Sequence, residues 1–270
     1  MFTTVKPKIS VCVPVYNAAP FIAETVKSVL RQDINDFELL LVDDASTDDS
    51  VAIIKQFDDN RIRLFQHEHN QGISASRNFL LGQARGEYIA VLDNDDICLP
   101  NRLRVQAAFL DSHPDIAMVG SWFELFAPRT TPWWRRWLVN LGWVWCHPLF
   151  PTWHDAQKGN IIMHPTAMYR RKLFADCGIC YDVRYTPAED YDLVVQALAA
   201  GLRLANIPRI LLKYNLHGAN CSLIRKRQMK KADTLVKQKI AGILSCQRRN
   251  FPYILVMLQK LRFKWMLKEK

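Results

Sequence analysis

Three stretches, "ISVCVPVYN" (9–17), "FELLLVDDAS" (37–46) and "EYIAVLDNDD" (87–96), run through strand-forming apolar residues and then stop at polar or acidic ones. The first is apolar on both faces. A run with no solvent face belongs inside a parallel sheet covered on both sides. Helical signals fill the gaps between the runs. Ile22, Val26, Val29 and Leu30 recur at helical spacing after Pro20. Ser46-Thr47-Asp48 can cap a helix carrying Val51, Ile53, Ile54 and Phe57. "NQGISASRNFLLGQARG" reads as a glycine turn and a helix from Ser74 that stops at Gly86, "RIRLFQ" as a short strand, and Pro100 as the start of another helix. Strand and helix alternating at this pitch predict βαβ units with right-handed crossovers.

Ligands of such sheets bind beyond the carboxyl ends of the strands. Asp43-Asp44 and Asp93-Asn94-Asp95-Asp96 both lie at such ends, so two acidic clusters are expected on one crevice. They suit a cation or a ligand rich in hydroxyls. A nucleoside diphosphate leaving group needs its charge neutralised, and Mg²⁺ or Mn²⁺ on one or two carboxylates does this. Asp93-x-Asp95 alone is weak evidence, since acidic turns after strands are common. Asp96 is read as a cap for the turn before Pro100.

Further along, residues 121–153 gather seven tryptophans and four prolines, too irregular for a simple helix or strand. This segment is read either as a membrane-interface or acceptor-side insertion or as a small core under a long loop. Beyond it, "NIIMHPTAMYRRKLF" offers a strand and a helix start, "PAEDYDLVVQALAAG" a helix ending at Gly201, and "LRLANIP" and "RILLKYNLH" two more strands.

The formal charge is +10, but Leu223 to Lys270 holds 14 Lys and Arg against Asp233 and Glu269, a local +12 that leaves −2 for the first 222 residues. The body is therefore nearly neutral and only the tail is basic. A nucleic-acid-binding module would need the cations on the folded face with aromatic platforms, so no nucleic-acid partner is expected. A nucleotidyltransferase would want a basic, glycine-rich loop after the first strand, and "PVYNAAP" lacks both residue types. Seven cysteines, an odd number, with no secretory segment near Met1, suggest a reducing, cytoplasmic setting. Cys177 and Cys180 have no second pair and are read as incidental thiols, and His67 and His69 as loop residues. The tail, taken as a helix from Tyr253, is imperfectly amphipathic, with Lys260, Lys264 and Lys268 flanking an apolar face. It suggests either attachment to anionic lipid at the inner face of the membrane or a helix packed on the body or a partner chain.

In order and spacing, "ISVCVPVYNAAPFIAETVKSVLRQ", "FELLLVDDASTDDS", "NQGISASRNFLLGQARGEYIAVLDNDD" and "PNRLRVQ" resemble the family 2 glycosyltransferases, densely over residues 8–110 and sparsely afterwards. The resemblance implies an α/β chain of the GT-A fold: a Rossmann-like, mostly parallel sheet with helices on both faces, here with a basic helical C-terminal tail. Residues 1–222 would form the transferase domain, 1–115 as its nucleotide-sugar half and 116–222 as its acceptor half, with 223–270 as the extension. It further implies that Pro14, Tyr16 and Asp44 line the nucleotide pocket, Arg77 belongs with the donor-binding residues, and Asp93 and Asp95 serve the sugar nucleotide and its Mn²⁺ or Mg²⁺. "AEDYDL" is similar to the family's E-D motif, with Asp190 the candidate general base and Glu189 its neighbour. Asp192 is read only as a favourable charge at a helix start. "MHPTAMYRR" is similar to an acceptor-side segment, which makes His164 an acceptor-side candidate. "KYNLHGANCS" resembles the closing Y-R-x-H element with Asn215 in place of Arg, leaving His217 as the metal or phosphate ligand. The activity implied is inverting transfer from a nucleoside-diphosphate sugar, a UDP-sugar being favoured, to a hydroxyl of a glycan or lipid-linked acceptor, in a bacterial surface polysaccharide or lipopolysaccharide pathway.

Overall fold

The computed structural model describes residues 6–127, 133–139, 142–217 and 224–250. In chain order the elements are β1 (Ile9–Val15), α1 (Ile22–Leu30), β2 (Phe37–Asp43), α2 (Ser50–Ile54), β3 (Ile62–Gln66), α3 (Ile73–Gln83), β4 (Tyr88–Val91), β5 (Ile97–Cys98) and α4 (Arg102–Ser112). There follow β6 (Ile116–Phe126), α5 (Trp133–Val139), β7 (Val144–Trp145), α6 (Trp153–Ala156), β8 (Met168–Arg170), α7 (Arg171–Asp176), α8 (Glu189–Ala199), β9 (Arg203–Asn215) and α9 (Lys226–Asn250). The strands make one sheet in the order β3-β2-β1-β4-β8-β6-β9-β5, with β7 added to β6. The long ladders, β1 with β2 and β4, β2 with β3, and β6 with β9, are parallel. The antiparallel ones are only two or three residue pairs long.

β1, β2 and β4 are buried along their whole length, as their uninterrupted apolar runs require. One face of the sheet packs Val11, Val13, Leu39 and Leu41 against Ile22, Val26 and Leu103. The other packs Leu40, Val42, Ile89 and Val91 with Tyr169, Tyr191 and Leu193. Arg102 is buried between the layers and donates to the carbonyls of Val91 and Ala167 at 2.7 and 3.3 Å, joining β4 to the approach to β8.

Three sequence expectations need amending. The Trp-rich region begins inside a strand: β6 extends through Ser121 to Phe126, and its register with β9 shifts three times, twice at Trp122, so its apolar pattern loses strand period. The two strands read at 202–217 are one, β9, bent where the pairing jumps from Ile207 to Ile210 around Pro208, which has no N–H to give a ladder. α3 ends at Gln83, with Ala84 already extended, so Gly86 is not its cap. Gly86 is required by a close approach instead: its N–H donates to Ser10 Oγ at 2.8 Å, and a Cβ there would lie 2.5 Å from the Ser10 nitrogen. α9 lies against the body through Ala232, Val236 and Ile240. The helix expected from Tyr253 lies outside the described residues.

Gly86→Ala should therefore destabilise by about 1–3 kcal/mol, because the obstructing atoms are backbone of a central strand. Thermal denaturation checks this, and a melting temperature equal to the parent's would show that β1 yields easily.

Candidate active site

The carboxyl end of β1 leads into an exposed Tyr16 and then Asn17, whose φ of 48° lies in the left-handed region that asparagine tolerates. Asn17 fixes two loops together: its N–H donates to Ser46 Oγ at 2.9 Å and its Oδ1 accepts from the Thr47 N–H at 2.9 Å. Ala18 and Ala19 likewise donate to Ser50 and Asp48. At the end of β2, the Asp44 N–H donates to the Val15 carbonyl, and its buried carboxylate accepts from the Gln71 and Gly72 N–H groups at 2.9 and 2.8 Å. His67 Nδ1 lies 2.9 Å from the same carboxylate. Burial alone would raise the Asp44 carboxyl, but these hydrogen bonds outweigh it and hold it below the usual range. Gly72, at φ 87°, turns the chain into α3. Asp44 thus organises the loop that starts α3, and His67, expected to be a mere loop residue, is one of its partners. Pro14 is buried in register with Val42.

α3 carries Arg77 into the interior. Its guanidinium donates to Glu189 Oε1 at 2.6 Å and to Asp93 Oδ1 at 3.0 Å, and lies over the Tyr181 ring. Burial would lower its pKa, but Asp93 and Glu189 more than compensate and keep it charged. One buried cation therefore joins the strand-end carboxylate after β4 to the first residue of α8. Asn78 exchanges hydrogen bonds with the Tyr181 backbone, and Ser74 Oγ lies 2.7 Å from Thr186 Oγ1, so α3 also positions the chain entering α8. Burial raises the Asp93 carboxyl against the pull of Arg77, with Asp95 adding to the rise.

Asp190, next to Glu189, accepts from Asn160 Nδ2 at 2.9 Å and from the Tyr191 N–H at 2.8 Å. Burial pushes its carboxyl up to about 7, the Glu189 charge adding to the rise and Arg77 opposing it. A carboxylate with that affinity for a proton is a better general base toward a hydroxyl near neutral pH than an ordinary aspartate. Asn160 sits in a stretch read only as a strand, and the contact spans 30 residues, so no local pattern announces it.

Asp95 meets His217 at 2.8 Å, and the His217 ring stacks on Phe21 with centroids 4.4 Å apart. The two expected metal ligands are thus neighbours, one after β4 and one just past β9. Among the described residues no three His, Cys, Asp or Glu converge as a cation site. A carboxylate and an imidazole still fit Mn²⁺, and the carboxylate alone fits Mg²⁺, with phosphate oxygens and water filling the rest of the shell. Neither Tyr16 nor Asp44 shares a hydrogen bond with Arg77, Asp93 or Glu189 among the described residues.

Three expectations change at this site. Asp96 does not cap the turn before Pro100: it is fully buried, and its Oδ1 accepts from the Asn215 N–H at 2.9 Å, tying the acidic turn to the end of β9. Burial holds its carboxyl well above the usual range, Asp95 and Asp93 adding to the effect. Asp192 is more than a helix-start charge, since it pairs with Lys239 of α9 and so anchors that helix. His164 is buried, with Nε2 2.9 Å from the Tyr181 hydroxyl, and burial together with Arg77 and Arg102 drives its pKa well down. It is a neutral core histidine rather than an acceptor contact. Cys177 and Cys180 are free and exposed.

The family model for glycosyl transferase family 2 matches residues 10–178. The chain belongs to that family and is a glycosyltransferase. EpsE of Bacillus subtilis (strain 168), which carries a glycosyltransferase name, is 35% identical over 211 residues, covering 77% of this chain and 72% of EpsE. Among solved structures, Staphylococcus aureus TarS 1-349 in complex with UDP-GlcNAc superposes with a TM-score of 0.67 at 23% identity, over 85% of this chain and 65% of that one. The mannosyltransferase PcManGT from Pyrobaculum calidifontis in complex with GDP-Man and Mn²⁺ superposes at 0.63 and 18% identity, over 98% and 81%. Those likenesses give the fold, a mixed α/β sheet with long parallel ladders and the GT-A arrangement. Among the described residues no helix is long and apolar enough to cross a membrane.

The raised pKa of Asp190 implies a cost of ionising it in the fold, and that cost grows as pH climbs from its unfolded value toward about 7. Asp190→Asn should therefore raise the melting temperature, by more at about pH 8 than at about pH 5. Scanning calorimetry at the two values checks the sign; a smaller gain at the higher pH would contradict it.

Proposed function

We propose that this chain transfers a sugar, with inversion, from a nucleoside-diphosphate donor to a hydroxyl of a glycan or lipid-linked acceptor of surface polysaccharide synthesis, with Asp190 as the base. The observation that carries this reading is the Arg77 bridge between Asp93 and Glu189, because it draws the strand-end carboxylate and the start of α8 into one charged cluster. Residues 1–115 supply the donor side and 116–222 the acceptor side. Pro14, Tyr16 and Asp44 border the nucleotide, Asp93 faces the donor, and Arg77 acts from behind by holding Asp93 and Glu189 in place. A UDP-sugar is the favoured donor. Those solved relatives whose bound ligands are a UDP- or a GDP-sugar support the donor class, and the Mn²⁺ bound by one of them supports a divalent cation.

Asp95 and His217 would hold that cation, which neutralises charge on the departing diphosphate. The remaining chemistry belongs to the chain. The acceptor hydroxyl approaches the anomeric carbon opposite the leaving oxygen, and its proton passes to an Asp190 carboxylate oxygen. The new C–O bond forms as the bond to the diphosphate breaks, which inverts the centre. Asn160 orients Asp190 through one of its oxygens. Arg77 holds Glu189 through its Oε1, and the Glu189 charge makes Asp190 more basic. The reaction would run at the cytoplasmic face of a membrane, with the basic residues of 223–270 attracted to anionic lipid.

The test is transfer and donor hydrolysis with UDP-, GDP- and dTDP-sugars, with and without Mn²⁺. Wild type should release nucleoside diphosphate only with metal, and Asp95→Ala should lose that by about a hundredfold or more. Asp190→Ala should keep donor binding but lose transfer, by about 10²–10⁴-fold. No turnover or binding of any sugar nucleotide would sink the reading. In the wild type the rate should rise with pH through about 7, since Asp190 must be ionised to accept a proton; a rate that falls across that range would contradict the base assignment.

A further inference from the structure

Eleven large apolar side chains are exposed among the described residues, and seven of them lie between Trp133 and Phe150. Trp133 and Trp137, 77% and 65% exposed, are one turn apart on α5 and so share a face. Trp143 and Trp145, 61% and 58% exposed, flank Val144 at strand spacing and so share a side of the chain. Leu149 and Phe150 continue the exposed apolar run. A soluble surface scatters such residues singly; seven of them gathered within one stretch of chain mark a surface that is covered in use.

The charge pattern says by what. Between Glu124 and Asp155 there is no acidic residue, while Arg129, Arg135 and Arg136 fall within or beside the tryptophans. A stretch of chain that supplies indole rings and cations but no acidic residue matches the headgroup level of an anionic bilayer, where an apolar body and a polar N–H are both accommodated. A sugar-binding subsite would set acceptor groups beside the rings, and residues 143–150 carry no carboxylate or amide side chain.

The location is also pertinent. β7 pairs with β6 at Phe123–Trp145 and Glu124–Val144, and the Leu125 N–H donates to the Trp143 carbonyl at 3.0 Å. The next residue, Phe126, accepts from the Leu216 N–H, beside His217. Trp143 and Trp145 are therefore one strand away from the Asp95–His217 pair. We propose that the exposed apolar residues of 133–139 and 142–150 form a docking surface for anionic lipid, distinct from the basic tail, which seats the acceptor side of the site on the bilayer. Its role in delivering an acceptor rests on the transferase reading, but lipid binding is measured without donor, so the two can fail separately.

The experiment is co-sedimentation of the full chain with phosphatidylcholine vesicles, with and without phosphatidylglycerol, at low and high salt. Wild type should bind the anionic vesicles with a blue shift of tryptophan emission. Trp143→Ser/Trp145→Ser should weaken partitioning by about tenfold or more, and Trp133→Ser/Trp137→Ser should do likewise. All four side chains are exposed, so melting temperatures should be unchanged. Both deficits should persist at high salt, where attraction of the basic tail is screened. Serine variants that bind as wild type would overturn the proposal. So would wild type that ignores anionic vesicles but self-associates in the ultracentrifuge through the same tryptophans, which would make the face an interface between copies.

Discussion

The geometry of the site depends on one buried guanidinium. Arg77 is carried into the interior by α3 and is neutralised from two directions, by Asp93 after β4 and by Glu189 at the start of α8. A buried charge is tolerated only when paired and hydrogen-bonded, so the three groups must arrive together or not at all. That requirement couples the half of the chain that begins with β1 to the half that ends with β9. It also sets the proton affinity of Asp190, which is raised by burial and by Glu189 and restrained by Arg77.

A second ring of contacts holds the acidic turn after β4. Thr25 of α1 donates to the carbonyls of Asn94 and Asp96, the Asp96 carboxylate takes the Asn215 N–H, and Asp95 meets His217. The three carboxylates that follow β4 do three different jobs. Asp93 is held by a cation, Asp95 meets an imidazole near the surface, and Asp96 is a buried fastener to β9. The same sequence cluster thus mixes architecture with chemistry, and residue type alone does not separate them.

The first half of the fold was legible because β1, β2 and β4 are buried on both faces and α1 is strongly amphipathic, so hydrophobic period tracks structure directly there. Past Asp115 that signal fails for physical reasons. β6 and β9 are long, bulged and bent at Pro208, and a bulge shifts every later side chain to the other face. At the site, the carboxylates could be found from strand ends and from the resemblance. Their partners could not: Asn160, Phe21 and His67 act through contacts that span 23 to 196 residues and carry no motif of their own. The role of Asp192 was missed for the same reason, because Lys239 lies 47 residues on, in a helix that sequence marks only as basic.

The central claim is that Asp190 is the base and that its proton affinity, raised first by burial, is raised further by the Glu189 charge and restrained by Arg77. Glu189→Gln tests it most directly, because the amide keeps an oxygen for Arg77 and removes only the negative charge beside Asp190. The measurement is the pH dependence of sugar transfer by wild type and Glu189→Gln. The account predicts that the acidic limb, near 7 in the wild type, moves to lower pH in the variant. An unmoved limb, or one displaced upward, would mean that Asp190 is not the titrating base or that Glu189 does not set its charge state.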